Sequence, residues 1–472
     1  MILIVIYVLS LAIILVFSIQ NLLLYLLSLK KERIVINSEV SDFDWPFVTV
    51  QIPLYNEGSV ASGLLEACRQ LDYPRDRLQI QVLDDSTDDT TLMVSNIVED
   101  FRNKGIDIEL IHRDCRQGFK AGALDNGLKT AKGEFVAIFD ADFLPQPDFL
   151  KKIIPYFKKS DTGFIQTSWR HRNANESVIA YLQDLRLKSH FFVAQKPRSE
   201  NGMLISFDGS SGVWRRRCIE EASGWMADTL AEDLDLSIRA QLKGWKGKFF
   251  SEYLSSAELP YSLNNFKTQQ FRWTKGVTEV LSKCAVTLIK SNISLKRKAD
   301  VLLRLTSNIV FPLILIVTVL NIPVYQLLKN TKEYSALVNI MPVFLLALLT
   351  AFLTFVFINK KAPGILLKRA LVFPLFLSGV SGISISNTFA FFEGLAGIRS
   401  PFVRTPKSRG NITREIISLK RIIIAALELA LSAYSIWGLY YFIAAGDYFS
   451  IFFQALVAFG YLVFAINSLF RR

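Results

Sequence analysis

Cysteine and histidine are the scarcest chemically active residues in this 472-residue sequence, with four and three copies. Cys68, Cys115, Cys218 and Cys284 stand far apart with no C-x-x-C pair, and His112, His171 and His190 form no ligand cluster. Neither a disulfide framework nor a zinc site is therefore indicated. A Gly-rich phosphate loop ending in Lys-Ser or Lys-Thr is also missing, which leaves phosphoryl transfer from ATP with little support. Charge is absent from residues 1–29 and from the runs 305–328, 334–359, 370–392 and 448–470, while 422–446 is interrupted only by Glu428. A simple soluble enzyme does not carry such runs. A chain wholly in lipid would not carry 54 basic and 42 acidic residues. Together these facts imply one part in water and one in the bilayer.

The charges that are present refine this division. The formal net charge is +12, and its first explanation is an excess of Lys and Arg on the cytoplasmic flanks of spans. Lys30, Lys31 and Arg33 follow the first apolar run. A cleaved signal peptide carries its basic residues before the run, so an uncleaved anchor is expected, with the next domain in the cytoplasm. The segments 296–304, 360–369 and 399–421 are also basic. If every C-terminal run crossed the bilayer, 399–421 would fall outside. The run 370–392 is unusual in holding Ser378, Ser381, Ser384, Ser386 and Asn387. Placing it at the interface, or making it re-entrant, returns each basic segment to the cytoplasm.

The expected organisation follows. Residues 1–29 form a transmembrane helix, 34–260 a cytosolic domain, and 261–298 interfacial helices. Residues 299–472 hold spans near 305–328, 334–359, 422–446 and 448–470, with 364–398 interfacial or re-entrant. Only Arg471 and Arg472 follow the last run, which leaves no length here for a C-terminal regulatory domain.

Within 34–260, strand-like and helix-like segments alternate. Strand patterns at 48–53, 79–83 and 134–139 run into Tyr55-Asn56-Glu57, Asp84-Asp85 and Asp140-Ala141-Asp142, with another strand at 106–111. Helical patterns fit 90–104 and 119–129. Such alternation predicts a mostly parallel, Rossmann-like sheet with its ligand at the carboxyl ends of the strands. Asp88 and Asp89 read first as caps of the helix that follows. Asp140 and Asp142 would repel each other unless something positive sat between them. A hard divalent cation sharing phosphate oxygens meets that need. Two later features join this set. Glu232 and Asp233 open a helical segment, where acids also suit the helix dipole. Gln269, Arg272 and Trp273 lie in an amphipathic segment, 262–288. Trp at an interface is ordinarily a lipid anchor, but beside Arg it can also offer a face to a sugar and a cation to a phosphate.

In this order, Asp85 in LDDSTD, Asp140-x-Asp142 in FDADF, Glu232-Asp233 and Gln269-x-x-Arg272-Trp273 resemble the D, D-x-D, T-E-D and Q-x-x-R-W set of membrane-embedded processive family 2 glycosyltransferases. The strings VQIPLYNE, DGSSGVWR, AEDLDLSIRAQLKGWK and QQFRWTKG are most similar to the cellulose synthase-like glucomannan and β-glucan branch. The resemblance implies a GT-A type α/β domain on the cytoplasmic side of an α-helical transmembrane domain, in a plasma or Golgi-type membrane. It implies a processive inverting hexosyltransferase that makes a β-linked, β-1,4 polysaccharide and moves it across the membrane. The alternative is a single transfer to a lipid acceptor.

Roles follow from the same resemblance. Tyr55, Glu57 and Asp85 would hold the nucleoside, and Lys120, Gln269 and Arg272 the diphosphate. Asp140 would support the nucleotide, and with Asp142 it would bind Mg²⁺ or Mn²⁺. Asp233, next to Glu232, would be the general base. Trp273 and Asp208 would meet the growing polysaccharide. The stretch 399–411, with Thr405 and Lys407, is similar to the family's gating loop. The donor would be UDP-glucose or GDP-mannose; the other partner is membrane lipid, with no nucleic acid. Two positions depart from the pattern: Ala231 stands for the usual Thr, and Arg404 for a Val.

Overall fold

The computed structural model describes residues 1–30, 44–330, 343, 345–358, 363–400 and 419–469. Eight strands form one sheet: β1 (Val48–Leu54), β2 (Leu78–Asp84), β3 (Ile108–His112), β4 (Phe135–Ile138), β5 (Leu144–Pro145), β6 (Thr162–His171), β7 (Gly212–Arg215) and β8 (Lys246–Ala257). Their order is β3-β2-β1-β4-β7-β6-β8-β5. The first half, β3-β2-β1-β4, is parallel, as the alternation predicts. In the second half β7 runs antiparallel to both β4 and β6, and only β6 and β8 pair in parallel. The domain is therefore a mixed α/β sheet of GT-A type rather than a mostly parallel one. The antiparallel half escaped notice because its strands lie far apart in sequence, with helices between them.

The parallel half is buried on both faces, but not by apolar residues alone. Val48, Val50 and Ile52 point into a core with Ile80, Val82 and Phe139. Alternate positions carry Thr49, Gln51, Gln79 and Gln81, all buried. They bond one another across strands: Thr49 Oγ1 donates to Gln79 Oε1 (2.8 Å) and Gln51 Nε2 to Gln81 Oε1 (3.0 Å). Gln81 Nε2 ends the ladder on Glu109 Oε1 (2.7 Å). This amide row fixes register, because a slip of one residue would place glutamines among the aliphatics.

Beyond β8 the chain is helical. Leu263–Lys290 starts at Ser262, whose hydroxyl accepts the Asn265 amide (3.1 Å). Leu295–Thr306 follows, then Val310–Asn330, Leu345–Val356, Pro363–Leu395, Leu419–Ala445 and Tyr448–Leu469. Among the described residues, five helices are long and apolar enough to cross a membrane: Ile2–Ser28, Leu295–Asn330, Pro363–Leu395, Leu419–Ala445 and Ser450–Leu469. Leu345–Val356 is apolar but has only 12 residues described. The stretch expected at 364–398 forms one unbroken helix of 33 residues with Pro374 inside it. Its buried Gly382 meets Phe464 of the last helix, and Gly394 meets Thr278 and the Lys275 carbonyl, so small residues set both close approaches.

Candidate active site

The carboxyl ends of β1, β2 and β4 lie at one edge of the sheet, because Leu54 pairs with Asp84 and Gln51 with Ile138. That register brings three acidic clusters together. Asp84 is wholly buried and accepts Thr91 Oγ1 (2.6 Å), the Ser86 amide (3.1 Å) and His112 Nδ1 (2.8 Å). Burial works against its charge, but these bonds keep its pKa below the ordinary value. Asp85 is gripped by both arms of Arg113, at 2.7 and 2.6 Å. Arg113 also donates to the Gln117 and Phe119 carbonyls, each at 3.1 Å, and so braces the entry to the helix Phe119–Leu128. Sequence reasoning missed Arg113; its signal was only a lone Arg just after a strand. Tyr55 lies under Arg116, whose guanidinium carbon is 3.3 Å from the ring centroid. Glu57 is the N-cap residue of Gly58–Arg69. Asp89 holds the N-cap position of Thr90–Asn103, while the side-chain bond there comes from Asp88, which accepts the Thr90 amide (3.0 Å).

Lys120 leaves the first turn of its helix and reaches two groups. Its Nζ donates to Asp140 Oδ1 (2.5 Å) and to the Gly209 carbonyl (2.8 Å). Burial opposes the ammonium, but the carboxylates of Asp140 and Glu232 outweigh it and raise its pKa. Gly209 has φ +83, and a Cβ there would sit 2.8 Å from Asp233 Oδ2 and 3.4 Å from Lys120 Nζ. Only glycine adopts that backbone at no steric cost, and only glycine lets the 208–212 loop pass this close to both groups. Asp233 is thereby fixed beside Lys120.

Glu232 and Asp233 form the first turn of the helix Glu232–Leu242. Burial, and then the Glu232 carboxylate, push the Asp233 pKa up to about 8 against the pull of Lys120. Burial likewise raises Glu232, with Lys120 and Arg272 opposing. Arg272 lies within electrostatic reach of Glu232, Asp140 and Asp233. It comes from Leu263–Lys290, which approaches so closely that a Cβ on Gly276 would sit 2.9 Å from the Ala231 Cβ. Ala231, where the motif usually has Thr, is thus a contact point between helices. Gln269 is buried in the same helix and Trp273 is half-buried beside Arg186, whose guanidinium carbon is 6.0 Å from the ring centroid.

Asp208 faces His190. Its carboxylate accepts His190 Nε2 (3.0 Å), Gln195 Nε2 (3.1 Å) and Ser206 Oγ (3.1 Å). His190 and Gln195 bound a π-helical turn, His190–Gln195, which stacks residues five apart and so aims both side chains at one carboxylate. Lys275, two residues after Trp273, is fully buried and bonds Glu393 (3.3 Å) and Ser400. Neither His190 nor Lys275 was marked in the sequence, since no motif singles them out. Thr405 and Lys407 lie outside the described residues.

The two remaining carboxylates form no ready-made metal cage. Asp140 is partly exposed, and Asp142 is buried with Oδ2 accepting the Glu258 amide (3.2 Å). Among the described residues, no three His, Cys, Asp or Glu side chains converge as a metal site. Two hard oxygen donors fit Mg²⁺ or Mn²⁺, which bind through one or two carboxylates and complete their shell with phosphate oxygens and water.

Comparisons with known proteins agree with this architecture. Glucomannan 4-beta-mannosyltransferase 1 of Oryza sativa subsp. japonica is 40% identical over 258 residues, or 54% of this chain and 50% of the relative. Glucomannan 4-beta-mannosyltransferase 2 of Arabidopsis thaliana is 39% identical over 267 residues, or 56% of this chain and 50% of the relative. The chain thus spans about half the length of the curated relatives it matches. Among solved structures, a mannosyltransferase of Pyrobaculum calidifontis, in complex with GDP-Man and Mn²⁺, superposes with a TM-score of 0.51 at 21% identity. That match covers 72% of this chain and 98% of the other and shows a shared fold. Residues 46–276 match the profile described as glycosyltransferase like family 2, and with the sheet and the acidic edge that segment forms a family 2 glycosyltransferase-like domain.

Proposed function

We propose that the chain is a processive inverting hexosyltransferase that builds a β-1,4-linked polysaccharide from a nucleotide sugar and feeds it into its own membrane helices. One observation carries this proposal: the half-buried Asp233, whose pKa is pushed up, sits against Gly209 with Lys120 and Arg272 in electrostatic reach and Trp273 directly after Arg272 on Leu263–Lys290. Lys120 and Arg272 offer positive charge where a leaving diphosphate develops negative charge. Asp233 is an acceptor-side base: it takes the proton from the acceptor hydroxyl as the new C–O bond forms and the bond to the diphosphate breaks. Its raised pKa makes it a stronger base than an ordinary carboxylate. Glu232 keeps it raised. Displacement from the opposite face inverts the sugar carbon. Asp140 and Asp142 would hold Mg²⁺ or Mn²⁺, which when bound adds positive charge against the diphosphate. The names of the two plant relatives favour a mannosyl donor and a polysaccharide acceptor.

The membrane arrangement belongs to the same proposal. A helix crossing a bilayer touches a cytosolic domain near one end only. Pro363–Leu395 touches that domain at Lys368, 4.4 Å from the Tyr181 ring, and the neighbouring helix Leu263–Lys290, expected at the interface, at Gly394, against Thr278. These contacts are 26 residues apart, or about 39 Å of helix. That favours a helix lying along the membrane surface over a span, although its length and composition would permit crossing.

Labelled GDP-mannose and UDP-glucose, each with Mg²⁺ or Mn²⁺, supplied to membranes holding the full chain test the proposal. The expected outcome is a long polymer from GDP-mannose, cut by a β-1,4-mannanase. A product that stops at one sugar in the lipid fraction would replace polymerisation with lipid glycosylation.

A further inference from the structure

At the end of the first apolar helix a groove opens against Leu295–Thr306. Ile2–Ser28 is long and apolar enough to cross a bilayer, and Lys30 stands just past its last turn. Leu295–Thr306 is amphipathic. Its Val301 and Leu305 are buried in a core with Leu204 and Ile238 of the catalytic domain. Lys296, Asp300 and Leu303, spaced i, i+4, i+7, share a different face. That face and Leu24 and Leu27 of the first helix line a groove of about 430 Å³, a size in the range of small-ligand sites. Leu23 and Leu26 also line it and are 56% and 51% exposed, so it opens toward the surface that a spanning helix shows to lipid.

The charges around the groove are unevenly matched. Asp300, the one carboxylate lining it among the described residues, is answered by Arg198 Nε (2.9 Å) and Gln20 Nε2 (3.1 Å). The two cations lining it, Lys30 and Lys296, are exposed, and neither side chain has an ion pair or hydrogen bond among the described residues. A lysine ending a span ordinarily reaches the headgroup layer alone. Here two lysines from different helices flank one leucine-walled groove.

We infer that this groove holds one anionic phospholipid, with an acyl chain between Leu27 and Leu303 and the phosphate paired with Lys30 and Lys296. The chemistry selects the ligand. Leucine walls suit an acyl chain and offer nothing to a free phosphate, while two unanswered cations favour an acidic headgroup over a zwitterionic one. Position selects it too: leucines in the last turns of a spanning helix lie where acyl chains meet headgroups, and basic pockets between membrane helices take acidic headgroups there. Through Asp300 and Arg198 the groove wall is tied to the catalytic domain, so the bound lipid fastens that domain to its anchor helix. The inference needs Ile2–Ser28 to lie in a bilayer and does not depend on the transfer chemistry.

The full chain in nonionic detergent would be titrated with phosphatidylglycerol or phosphatidylcholine, and the retained lipid counted by native mass spectrometry. A single phosphatidylglycerol per chain is expected, with phosphatidylcholine about tenfold weaker. K30Q and K296Q should each weaken phosphatidylglycerol about fivefold, the effect of one cation beside an acidic headgroup. L27W fills the groove and should weaken it about tenfold. Lys290 is an exposed cation outside the groove, so K290Q should change binding less than about twofold. If K290Q weakens binding as much as K296Q, the basic face attracts lipid diffusely and the site is lost. Wild-type affinity in a folded L27W, or displacement of the lipid by inorganic phosphate, also overturns it. If neither lipid is retained, protein covers the groove and the inference fails. Where L27W does not fold, the three lysine variants decide.

Discussion

Two regions of this protein bury carboxylates and treat them in opposite ways. In the helical region Glu428 is wholly buried, and it is answered: Lys267 donates to Oε1 (2.5 Å) and Ser468 to Oε2 (2.9 Å). Lys267 comes from the helix that also supplies Arg272 and Trp273, so the pair ties that helix to the last two. In the catalytic domain Asp233 has a second carboxylate as its chain neighbour, while the nearest cation, Lys120, is already bonded to Asp140. A matched buried charge is structure. A crowded one stores basicity, and this contrast separates the two carboxylates by role more sharply than burial does.

The largest effect should come from removing the crowded charge. Asp233→Asn is expected to cut transfer by roughly 10³-fold, the range for a lost general base, with donor affinity changed less than threefold by calorimetry. Polymer made at the normal rate would show that Asp233 is not the base. The same substitution should not destabilise the fold near neutral pH, because a carboxyl whose folded pKa is near 8 is mostly protonated and uncharged there. For Glu428 the prediction is reversed. Glu428→Gln leaves the half-buried Lys267 with no counter-charge and only its bond to Ser468 Oγ (2.9 Å), costing roughly 3 kcal/mol in thermal unfolding. The double variant Lys267→Met, Glu428→Leu should recover most of that. If Glu428→Gln were neutral, the pair would not be a structural tie.

The pH dependence sharpens the contrast, and its sign follows from the raised pKa. Asp233 must be unprotonated to accept a proton, so kcat/KM should fall as pH drops through its folded pKa near 8. Stability moves the other way. The unfolded chain has an ordinary Asp, so this group's contribution is full below the unfolded pKa and is lost as pH rises through the folded one. Between those values stability should decline with pH in the wild type and decline less in Asp233→Asn. Urea titrations at several pH values would read this, and parallel slopes would count against a raised Asp233.

How much of this was legible in the sequence depends on where the chemistry sits. Asp85, Asp140 and Asp142 follow short apolar strands, so a rule about strand ends finds them without a structure. Asp233 and Trp273 were found only through the resemblance of their motifs; the approach of their helices is fixed by Gly276 against Ala231, a contact 45 residues apart that no periodicity encodes. Arg113, His190 and Lys275 were missed for the same reason: each acts through a partner distant in sequence, at Asp85, Asp208 and Glu393. Glu428 stands out in the sequence only as the one charge in the run 422–446, and nothing near it in sequence names its partners. Lys267 and Ser468, lying 161 and 40 residues away, give it a structural tie.

The smallest effect tests whether the two regions are mechanically joined. On Gly276, a Cβ would lie 2.9 Å from the Ala231 Cβ and 3.0 Å from the Ala231 nitrogen, both part of the turn that holds Glu232 and Asp233. Neither contact is the end of a flexible side chain, so Gly276→Ala must push the helix bearing Arg272 and Trp273 away by a few tenths of an ångström. Crowding of this kind costs about 1–3 kcal/mol. A shift that small should lower kcat several-fold by loosening Arg272 and Trp273 around the base, and raise donor KM less, because Lys120 and Asp140 belong to other elements. Ala231→Gly in the same chain opens the space again and should restore part of kcat. A donor KM raised more than kcat is lowered would mean that Leu263–Lys290 acts mainly through the diphosphate at Gln269 and Arg272 and not through the base and the acceptor.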